Sequence, residues 1–240
     1  MKIALIGYGK MGKAIEEIAL HRGHEVLLKI HKENENEFSA TRLKQADIAI
    51  EFTGPAAAKH FIESCIDWNI PVISGSTGWT ENLDDMKKKC AEQNGAFIYA
   101  SNFSIGVNLF FELNKSLAKL MVNHPEYEII LEETHHTQKK DAPSGTAITL
   151  AEQIIEVNKH KTQWVNKPSE RKEDLEILSQ RIDPVPGTHS IRYSSVIDDI
   201  EIIHTAHNRK GFALGAVLAA EFLVNKKGFF TMKDVLQHGL

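Results

Sequence analysis

The chain has 240 residues, and its 28 lysines and arginines against 32 aspartates and glutamates give a formal net charge of −4. This charge offers no general attraction for a nucleic-acid backbone, so we expect no nucleic-acid partner. No apolar run approaches the roughly 20 residues of a membrane span, and the first residues form a strand-like run without the parts of a signal peptide. Composition therefore predicts a cytoplasmic globular protein with no membrane partner.

Strand-like and helical patterns alternate through the first hundred residues. The opening run, Lys2–Ile6, ends at Gly7, and a helical pattern begins at Met11. Further strands are predicted at 26–30, 48–52, 72–73 and 97–99, and further helices at 56–68 and 83–93. This alternation favours a mostly parallel sheet covered on both faces. Only about fifteen residues follow Ile30 before Ala46, so we expect a reduced or missing helix there.

The order of elements changes after Asn102. A predicted helix at 109–121 precedes a strand at 128–133, a polar loop and a helix at 145–157. Two β-type runs, 189–196 and 200–205, are joined by the turn-like pair Asp198-Asp199. This order favours an α+β domain with an open mixed sheet. The charged segment 159–187 contains three prolines, and we expect it to be a mobile excursion.

A glycine-rich turn joins the first strand to the first helix. Gly7, Gly9 and Gly12 have the G-x-G-x-x-G spacing. Gly7 would permit the tight turn, Gly9 would let a pyrophosphate approach the backbone, and Gly12 would allow close helix packing. Because the motif lies directly between a strand and a helix, we interpret it as a dinucleotide site rather than as a merely structural turn.

The end of the second strand bears on cofactor choice. NAD-binding units usually place an acidic residue there to bind the ribose 2′-hydroxyl, whereas this chain has His31 and Lys32, with Glu33 and Glu35 beyond them. The basic groups would pair with a 2′-phosphate, so we predict that NADPH is preferred over NADH or at least equally used. A solvated basic loop with no discrimination is the alternative.

A second group of polar residues occupies positions 133–147. It contains His135 and His136, Lys139, and a helix start at Ser144-Gly145-Thr146 whose hydroxyl and N–H groups suit a carboxylate. One histidine would donate a proton near neutral pH, and the lysine would neutralise a second carboxylate. Paired surface imidazoles are the simpler interpretation of the histidines alone, but the neighbouring residues favour a site for a small, polyanionic, unsaturated substrate.

Other polar residues carry weaker signals. His204 and His207 have the i, i+3 spacing of metal ligands but no suitable third ligand nearby, so we predict no metal site. Cys65 and Cys90 fit neither a disulfide framework nor a zinc site. Arg192 would face either the substrate or the solvated side of its sheet, and the pattern favours neither.

Residues 135–147 match in full the signature His-His-x-x-Lys-x-Asp-Ala-Pro-Ser-Gly-Thr-Ala of the dihydrodipicolinate (4-hydroxy-tetrahydrodipicolinate) reductases, and the chain resembles this family along most of its length. Further similar segments are 51–53, 75–78, 100–108, 207–209 and 212–217. The resemblance implies reduction of (2S,4S)-4-hydroxy-2,3,4,5-tetrahydrodipicolinate to (S)-2,3,4,5-tetrahydrodipicolinate with loss of water, in the diaminopimelate route of lysine biosynthesis. It also implies a homotetramer joined through the sheets of the second domain.

The resemblance also assigns domains and residues. A Rossmann-type dinucleotide-binding domain would comprise residues 1–103 and 209–240, and a substrate-binding and oligomerisation domain would comprise 104–208. His135 would be the catalytic proton donor with Lys139 as its charged partner, and His136, Lys139, Ser144, Gly145 and Thr146 would bind the substrate. Besides His31 and Lys32, the cofactor would contact Gly7, Tyr8, Gly9, Lys10, Met11, Gly12, Phe52, Thr53, Gly75, Ser76, Thr77, Ala100, Ser101, Asn102 and Phe103.

Two other functions share the first domain. Another two-domain dehydrogenase, acting on an amino acid or a sugar, would not need the 135–147 motif. A non-catalytic redox sensor would keep the dinucleotide site and lose the acid, whereas His135 and Lys139 are both present. We therefore favour the reductase.

Overall fold

The computed structural model describes residues 1–238, and the chain divides into two compact units. Unit 1 consists of Met1–Ile105 and the carboxy-terminal part of the chain from Arg209, and unit 2 consists of Gly106–Asn208. Residues 239 and 240, which we predicted to belong to the first domain, lie outside the described residues.

The strands are β1 (Lys2–Ile6), β2 (Glu25–Ile30), β3 (Ile48–Glu51), β4 (Val72–Ser74), β5 (Ala96–Tyr99), β6 (Glu128–His135), β7 (Gln163–Val165), β8 (Asp174–Arg181), β9 (Gly187–Ser194), β10 (Asp199–Ala206) and β11 (Gly228–Phe230). The α-helices are α1 (Lys10–His21), α2 (Ala40–Leu43), α3 (Pro55–Asp67), α4 (Leu83–Glu92), α5 (Ile105–Met121), α6 (Gly145–Val157), α7 (Lys210–Leu223) and α8 (Met232–His238). None of these helices is both long and apolar enough to cross a membrane.

Unit 1 contains a six-stranded sheet in the order β11-β5-β4-β3-β1-β2, and every pair in it is parallel. Alternate residues of β1 point to opposite faces: Ile3 and Leu5 pack with α1, α7 and α8, whereas Ala4 and Ile6 pack with α3 and α4. The predicted parallel sheet with two covered faces is therefore confirmed. Strand β11 was not predicted, because three residues are too few to show a period.

The segment between β2 and β3 is short, as predicted. It holds a 3-10 helix, Lys32–Glu37, and the four-residue helix α2 in place of a full crossover helix. Phe38, between them, packs edge-on against Phe61 of α3 with ring centroids 4.7 Å apart. The contact between Phe38 and Phe61 therefore packs this short connection against α3.

Unit 2 contains a five-stranded mixed sheet in the order β10-β9-β6-β8-β7. Strand β6 pairs antiparallel with β9 and parallel with β8. Helices α5 and α6 cover one face and share a core with Leu131 and Ile191. The predicted open mixed sheet and the β9–β10 hairpin are confirmed, and the N–H of Ser195 donates to the carbonyl of Asp198 at 3.0 Å in the turn.

The prediction that 159–187 is an excursion from the domain is wrong. The segment supplies β7 and β8, and β8 lies inside the sheet beside β6. Leu175 and Ile177 point into the core and are fully buried. Pro168 and Pro184 lie outside the strands, so they do not interrupt them.

Strand β6 is two residues longer than predicted. We expected the strand to end at Glu133, but it continues to His135, which pairs with Arg181 of β8. Glu133 and His135 therefore lie on the same buried face of one strand. Their relative position is fixed by the sheet instead of by a loop.

Candidate active site

The turn after β1 has the geometry that the glycine motif predicts. Gly7 has φ +98°, and a β-carbon there would lie 2.2 Å from the carbonyl oxygen of Phe52. The N–H groups of Gly7 and Tyr8 both donate to the carbonyl of Ile30, at 2.9 and 3.0 Å. Only glycine fits this position, because a side chain would clash with backbone and strain φ.

Gly9 and Gly12 lie at the start of α1. A β-carbon on Gly12 would lie 2.5 Å from the carbonyl oxygen of Gly7, whereas one on Gly9 would meet nothing within 4 Å. Gly9 precedes α1, whose start has no side-chain cap and no acidic residue in the first turn. The open space over Gly9 and the N–H groups of α1 fit a pyrophosphate.

A cavity of about 680 Å³ adjoins this turn, within the usual range for a ligand pocket. His31 and Lys32, two of the predicted cofactor residues, line it together with Glu33 and Glu35. The N–H of Glu33 donates to His31 Nδ1 at 3.3 Å. Both basic and acidic side chains therefore line the cavity where the ribose of a dinucleotide would lie.

Tyr8 belongs to a charged cluster at the same turn. Its hydroxyl donates to Glu16, which also pairs with Lys29 Nζ at 2.5 Å. The hydrogen bond to Glu16 raises the pKa of Tyr8. Lys29 is therefore already engaged by the carboxylate of Glu16, which leaves His31 and Lys32 as the basic groups of the cavity.

The remaining predicted cofactor residues follow β3, β4 and β5. A β-carbon on Gly75 would lie 2.2 Å from the ring of Phe52, so the ring covers this glycine, and the Phe52 and Phe103 ring centroids are 5.7 Å apart. Ala100 N donates to the carbonyl of Ser74 at 3.2 Å. Since the strands are parallel, these loops and the glycine turn all lie at one edge of the sheet of unit 1. The other predicted residues at this edge are Lys10, Met11, Thr53, Ser76, Thr77, Ser101 and Asn102.

In unit 2, Glu133 is the centre of a buried polar cluster. Its carboxylate accepts from the N–H of Ser144, 3.1 Å from each oxygen, and from the guanidinium of Arg181 at 3.1 Å. Burial raises the pKa of Glu133, but its contacts with His135, Ser144 and Arg181 outweigh that effect and hold the pKa below its ordinary value. Glu133 is therefore an anion although it is almost fully buried.

His135 lies against this anion. Its Nδ1 atom is 3.2 Å from Glu133 Oε2, but the ring is not angled for a hydrogen bond, so the contact is electrostatic. On the other side of the ring, a β-carbon on Gly187 would lie 3.0 Å from His135 Nε2. The buried ring is thus held between a carboxylate and a residue that has no side chain.

His189 completes the cluster. Its ring meets that of His135 edge-on at 5.0 Å, and its Nε2 lies 3.1 Å from the hydroxyl of Ser144. Burial, with a smaller contribution from the charge of His135, lowers the pKa of His189 to about 3. His189 is therefore neutral at physiological pH.

The loop between β6 and α6 carries Lys139. Its ammonium group pairs with Asp141 at 2.8 Å, and the carbonyl of Asp141 accepts from Arg181 at 2.5 Å. The side chain of Thr137 donates to Asp183 at 2.6 Å. These contacts hold the loop against the end of β8, with the half-buried His136 at its start.

Ser144 caps α6, as its sequence position predicts. Its hydroxyl accepts from the N–H of Ala147 at 3.2 Å, and the residue is almost fully buried. Gly145 is exposed, and a β-carbon there would meet nothing within 4 Å. Thr146 is half-buried beside it. The accessible part of this helix start is therefore Gly145 and Thr146.

One group of three potential metal ligands, Glu133, His135 and His189, lies within 4.8 Å among the described residues. Glu133 already accepts from Arg181 and Ser144, and a cation there would face the positive guanidinium. We therefore interpret the group as a hydrogen-bonded and electrostatic support for His135. His204 and His207 are not part of any such group in the described chain, and His204 packs 6.0 Å from the ring of Phe110.

Comparison with known proteins identifies the family. The sequence models of dihydrodipicolinate reductase match residues 1–103 for the N-terminus and 106–236 for the C-terminus. The chain belongs to the dihydrodipicolinate reductase family. A relative named 4-hydroxy-tetrahydrodipicolinate reductase, from Christiangramia forsetii, is 49% identical over 98% of both chains. Another of that name, from Thermosipho africanus, is 35% identical over 99% of this chain and 98% of its own.

The fold agrees with this membership of the dihydrodipicolinate reductase family. The structure of a dipicolinate-bound dihydrodipicolinate reductase from Paenisporosarcina sp. TG-14 has a TM-score of 0.77 at 22% identity, covering 96% of this chain and 97% of that one. An amine dehydrogenase from Mycobacterium smegmatis has a TM-score of 0.62 at 8% identity, covering 97% of this chain and 95% of that one. The fold is thus shared with other dehydrogenases, and the family is shown by the sequence.

Several residues of the site in this reductase family member were not predicted from sequence. Glu133, Arg181, Gly187 and His189 surround His135, although three of them follow it by more than forty positions. A signal existed for Glu133, which precedes His135 by two residues and so shares its strand face. Arg192 has the opposite parity on β9 to the buried His189, which places it on the face away from the helices.

Proposed function

We propose that this protein catalyses the NAD(P)H-dependent reduction of (2S,4S)-4-hydroxy-2,3,4,5-tetrahydrodipicolinate to (S)-2,3,4,5-tetrahydrodipicolinate, with loss of water, in the diaminopimelate route of lysine biosynthesis. The observation that carries the proposal is the buried Glu133–His135 pair beside the start of α6, in which His135 is the first residue of the 135–147 motif. The names of the relatives from Christiangramia forsetii and Thermosipho africanus support the same reaction.

Unit 1 would hold the dinucleotide and unit 2 the substrate. The residues of unit 1 fit the cofactor because Gly9 leaves open space before an uncapped helix start. When bound, NAD(P)H supplies a hydride to C4 of the substrate ring, from which water has left. The residues of unit 2 then have two tasks, which are to hold two carboxylates and to deliver one proton to C3.

His135 would deliver the proton. Glu133 lies at Nδ1 and favours a proton on that atom, so Nε2 is the atom that exchanges a proton with the substrate. Lys139, whose ammonium group pairs with Asp141, would be the charged partner of His135 at the substrate.

The substrate carboxylates would bind at the start of α6. Gly145 and Thr146 form the solvent-accessible part of this helix end, and His136 and Lys139 add polar and charged groups from the preceding loop. Ser144 was expected to bind substrate, but its buried hydroxyl caps the helix and contacts His189. Ser144 would instead fix the position of the helix start at which a substrate carboxylate binds.

Turnover tests the proposal directly. NADPH oxidation should be observed with enzymatically generated substrate, and His135→Gln should lower kcat by about 100- to 10,000-fold while NADPH affinity is nearly unchanged. Binding of NADPH by the wild-type protein without turnover would favour a redox sensor. Equal loss of kcat and of NADPH affinity in His135→Gln would show that the role of this residue is misassigned.

NADPH is the proposed preferred cofactor, because His31 and Lys32 line the cavity where a 2′-phosphate would lie. Glu33 and Glu35 at the same cavity oppose this preference, so the expected ratio of kcat/KM for NADPH over NADH is modest. Lys32→Gln should lower that ratio without changing kcat/KM for NADH. A clear preference of the wild-type protein for NADH would refute the proposal.

We also propose a cytoplasmic homotetramer joined through the sheet of unit 2. Ile200 and Ile203 on the edge strand β10, and Val196 and Ile197 in its turn, are exposed apolar residues that would be covered by association. Light scattering coupled to gel filtration should give four times the 26.9 kDa of one chain. Ile203→Lys should lower that mass, and a monomeric wild-type protein would rule the assembly out.

A further inference from the structure

A buried carboxylate lies at the carboxyl end of β3, on the edge of the sheet where the cofactor loops meet. Glu51 is fully buried. It pairs in register with Ile6 of β1 and with Ser74 of β4, and so occupies the central position of the row that ends the parallel strands. Every other residue of that row is uncharged, which makes the acid at this position unusual for a packed sheet.

The carboxylate joins two loops. Oε1 accepts from the N–H and the hydroxyl of Thr53, at 2.7 and 2.6 Å, and from the hydroxyl of Ser76 at 2.6 Å. Oε2 accepts from the hydroxyl of Ser74 at 2.6 Å. A buried charge is tolerated when it is hydrogen-bonded in this way, and such bonds are short and strongly oriented.

The second loop is also held from its other side. The indole N–H of the buried Trp79 donates to the carbonyl of Ser76 at 2.8 Å. Ser76 thus has its hydroxyl on Glu51 and its carbonyl on Trp79, and neighbouring Gly75 lies under the ring of Phe52. The loops after β3 and β4 are therefore joined to each other through one carboxylate, and Trp79 also holds the second loop.

We propose that Glu51 is a positioning residue for the dinucleotide, holding the 52–53 and 75–77 loops at the spacing that cofactor binding requires. This inference rests on the proposed use of NAD(P)H. In parallel sheets of this type, ligands bind outside the carboxyl ends of the central strands. Glu51 is buried beneath that edge and acts through Thr53 and Ser76.

Two serines provide a matched pair of variants. Ser74 and Ser76 each donate one hydroxyl to Glu51 at 2.6 Å. Ser74 belongs to β4, where pairing with β3 and β5 fixes its backbone, whereas Ser76 lies in the loop. Ser76→Ala should weaken NADPH binding several-fold, and Ser74→Ala should leave it within twofold, although both lose a similar buried hydrogen bond.

Glu51→Gln is the principal test, since it keeps the side-chain volume and removes the charge. The Kd for NADPH, measured by calorimetry on the full chain, should rise about tenfold, as loss of charge-assisted hydrogen bonding predicts. The KM for NADPH should rise with it, while kcat at saturating NADPH stays within about threefold. Urea unfolding of each variant checks that it is folded, and if Glu51→Gln does not fold, the serine pair decides.

The inference is wrong if folded Glu51→Gln binds NADPH as the wild-type protein does. It is also wrong if Ser74→Ala weakens binding as much as Ser76→Ala, because the effect would then be general destabilisation of the sheet. Wild-type protein that binds NADPH but does not reduce the substrate would refute the proposed function and leave the role of Glu51 standing. Wild-type protein that binds neither NADPH nor NADH would refute both.

Discussion

His135 and Glu133 lie on the same face of β6, with Nδ1 of the imidazole 3.2 Å from Oε2 of the carboxylate. The carboxylate is also held by the N–H of Ser144 and by Arg181, so its position does not depend on His135 alone. If His135 is the proton donor that we propose, this fixed carboxylate would favour one orientation of its ring and a proton on Nδ1.

Replacing Glu133 with glutamine should therefore impair the chemical step. We expect kcat to fall about 10- to 100-fold, less than the full contribution of a general acid, because the imidazole remains but loses its anionic support. NADPH affinity, measured by titration, should be unchanged. Glu132→Gln is the control, since Glu132 lies on the other face of β6 and should retain wild-type kcat. Wild-type kcat in Glu133→Gln would show that the contact is only structural.

Two variants of the glycine turn should have different effects, one on stability and the other on NADPH binding. Gly7→Ala introduces a β-carbon 2.2 Å from the carbonyl oxygen of Phe52, so the free energy of unfolding should fall by about 1–3 kcal/mol. Gly9→Ala meets nothing in the protein, so its unfolding in urea should match the wild type while the Kd for NADPH rises at least about tenfold. Unchanged NADPH affinity in Gly9→Ala would exclude a pyrophosphate from this turn.

Burial of His189 makes stability depend on pH. Its folded pKa of about 3 lies below the ordinary value of 6.5, so the unfolded chain takes up a proton that the folded chain does not as the pH falls below about 6.5. Stability is lost through that window, by about 2 kcal/mol between pH 7 and pH 5 for one such group. His189→Gln should flatten the dependence of the unfolding free energy on pH. Exposed His160→Gln should keep the wild-type slope, and an identical slope in both variants would contradict this account.

Two ion pairs link α1 and the residue that follows it to α7. Glu17 of α1 pairs with Lys210, and Arg22, directly after α1, pairs with Glu221, and the two pairs differ in exposure. Glu221 accepts two hydrogen bonds from Arg22 at 2.8 Å and contacts His24 at 2.6 Å, whereas the Glu17–Lys210 pair is largely exposed. Glu221→Gln should lower the free energy of unfolding by about 1 kcal/mol, and Glu17→Gln should change it little.

The pH dependence of the Glu221 cluster has a defined sign. Burial raises the pKa of Glu221, but Arg22 and His24 outweigh it and lower the pKa below 4.5. The stabilisation is therefore present above about pH 4.5 and is lost as the pH falls through the folded pKa. Equal urea midpoints for Glu221→Gln and the wild type at pH 7 would show that this cluster contributes nothing.

Local patterns predicted most of the fold because the determining interactions are local. The G-x-G-x-x-G turn and the capped start of α6 at Ser144 both depend on neighbouring residues, and both have the predicted geometry. Strand β8 was missed because its position beside β6 depends on pairing between residues more than forty positions apart. Its charged flanks and prolines suggested a loop, although Leu175 and Ile177 alternate as a strand should.

The candidate site was predicted in part for the same reason. The 135–147 motif predicts His135 and Lys139 as site residues, whereas Glu133, Arg181 and His189 become neighbours of His135 only through the sheet. Glu51 was noted only as part of a similar segment, since nothing in its local sequence indicates that four donors surround it. Buried polar contacts between distant residues are the part of a site that pattern alone does not supply.

Helix α7 follows all of unit 2 in the chain, yet it covers one face of the sheet of unit 1 together with α1. During synthesis, which proceeds from the amino terminus, the strands β1 to β5 emerge long before the residues around Ala216 and Val217 that bury Ile3 and Leu5. Unit 2 is therefore synthesised completely before unit 1 is. Until α7 has been synthesised, one apolar face of the sheet of unit 1 is incompletely covered. Coverage of that face is therefore complete only after the residues of α7 and α8 have been synthesised.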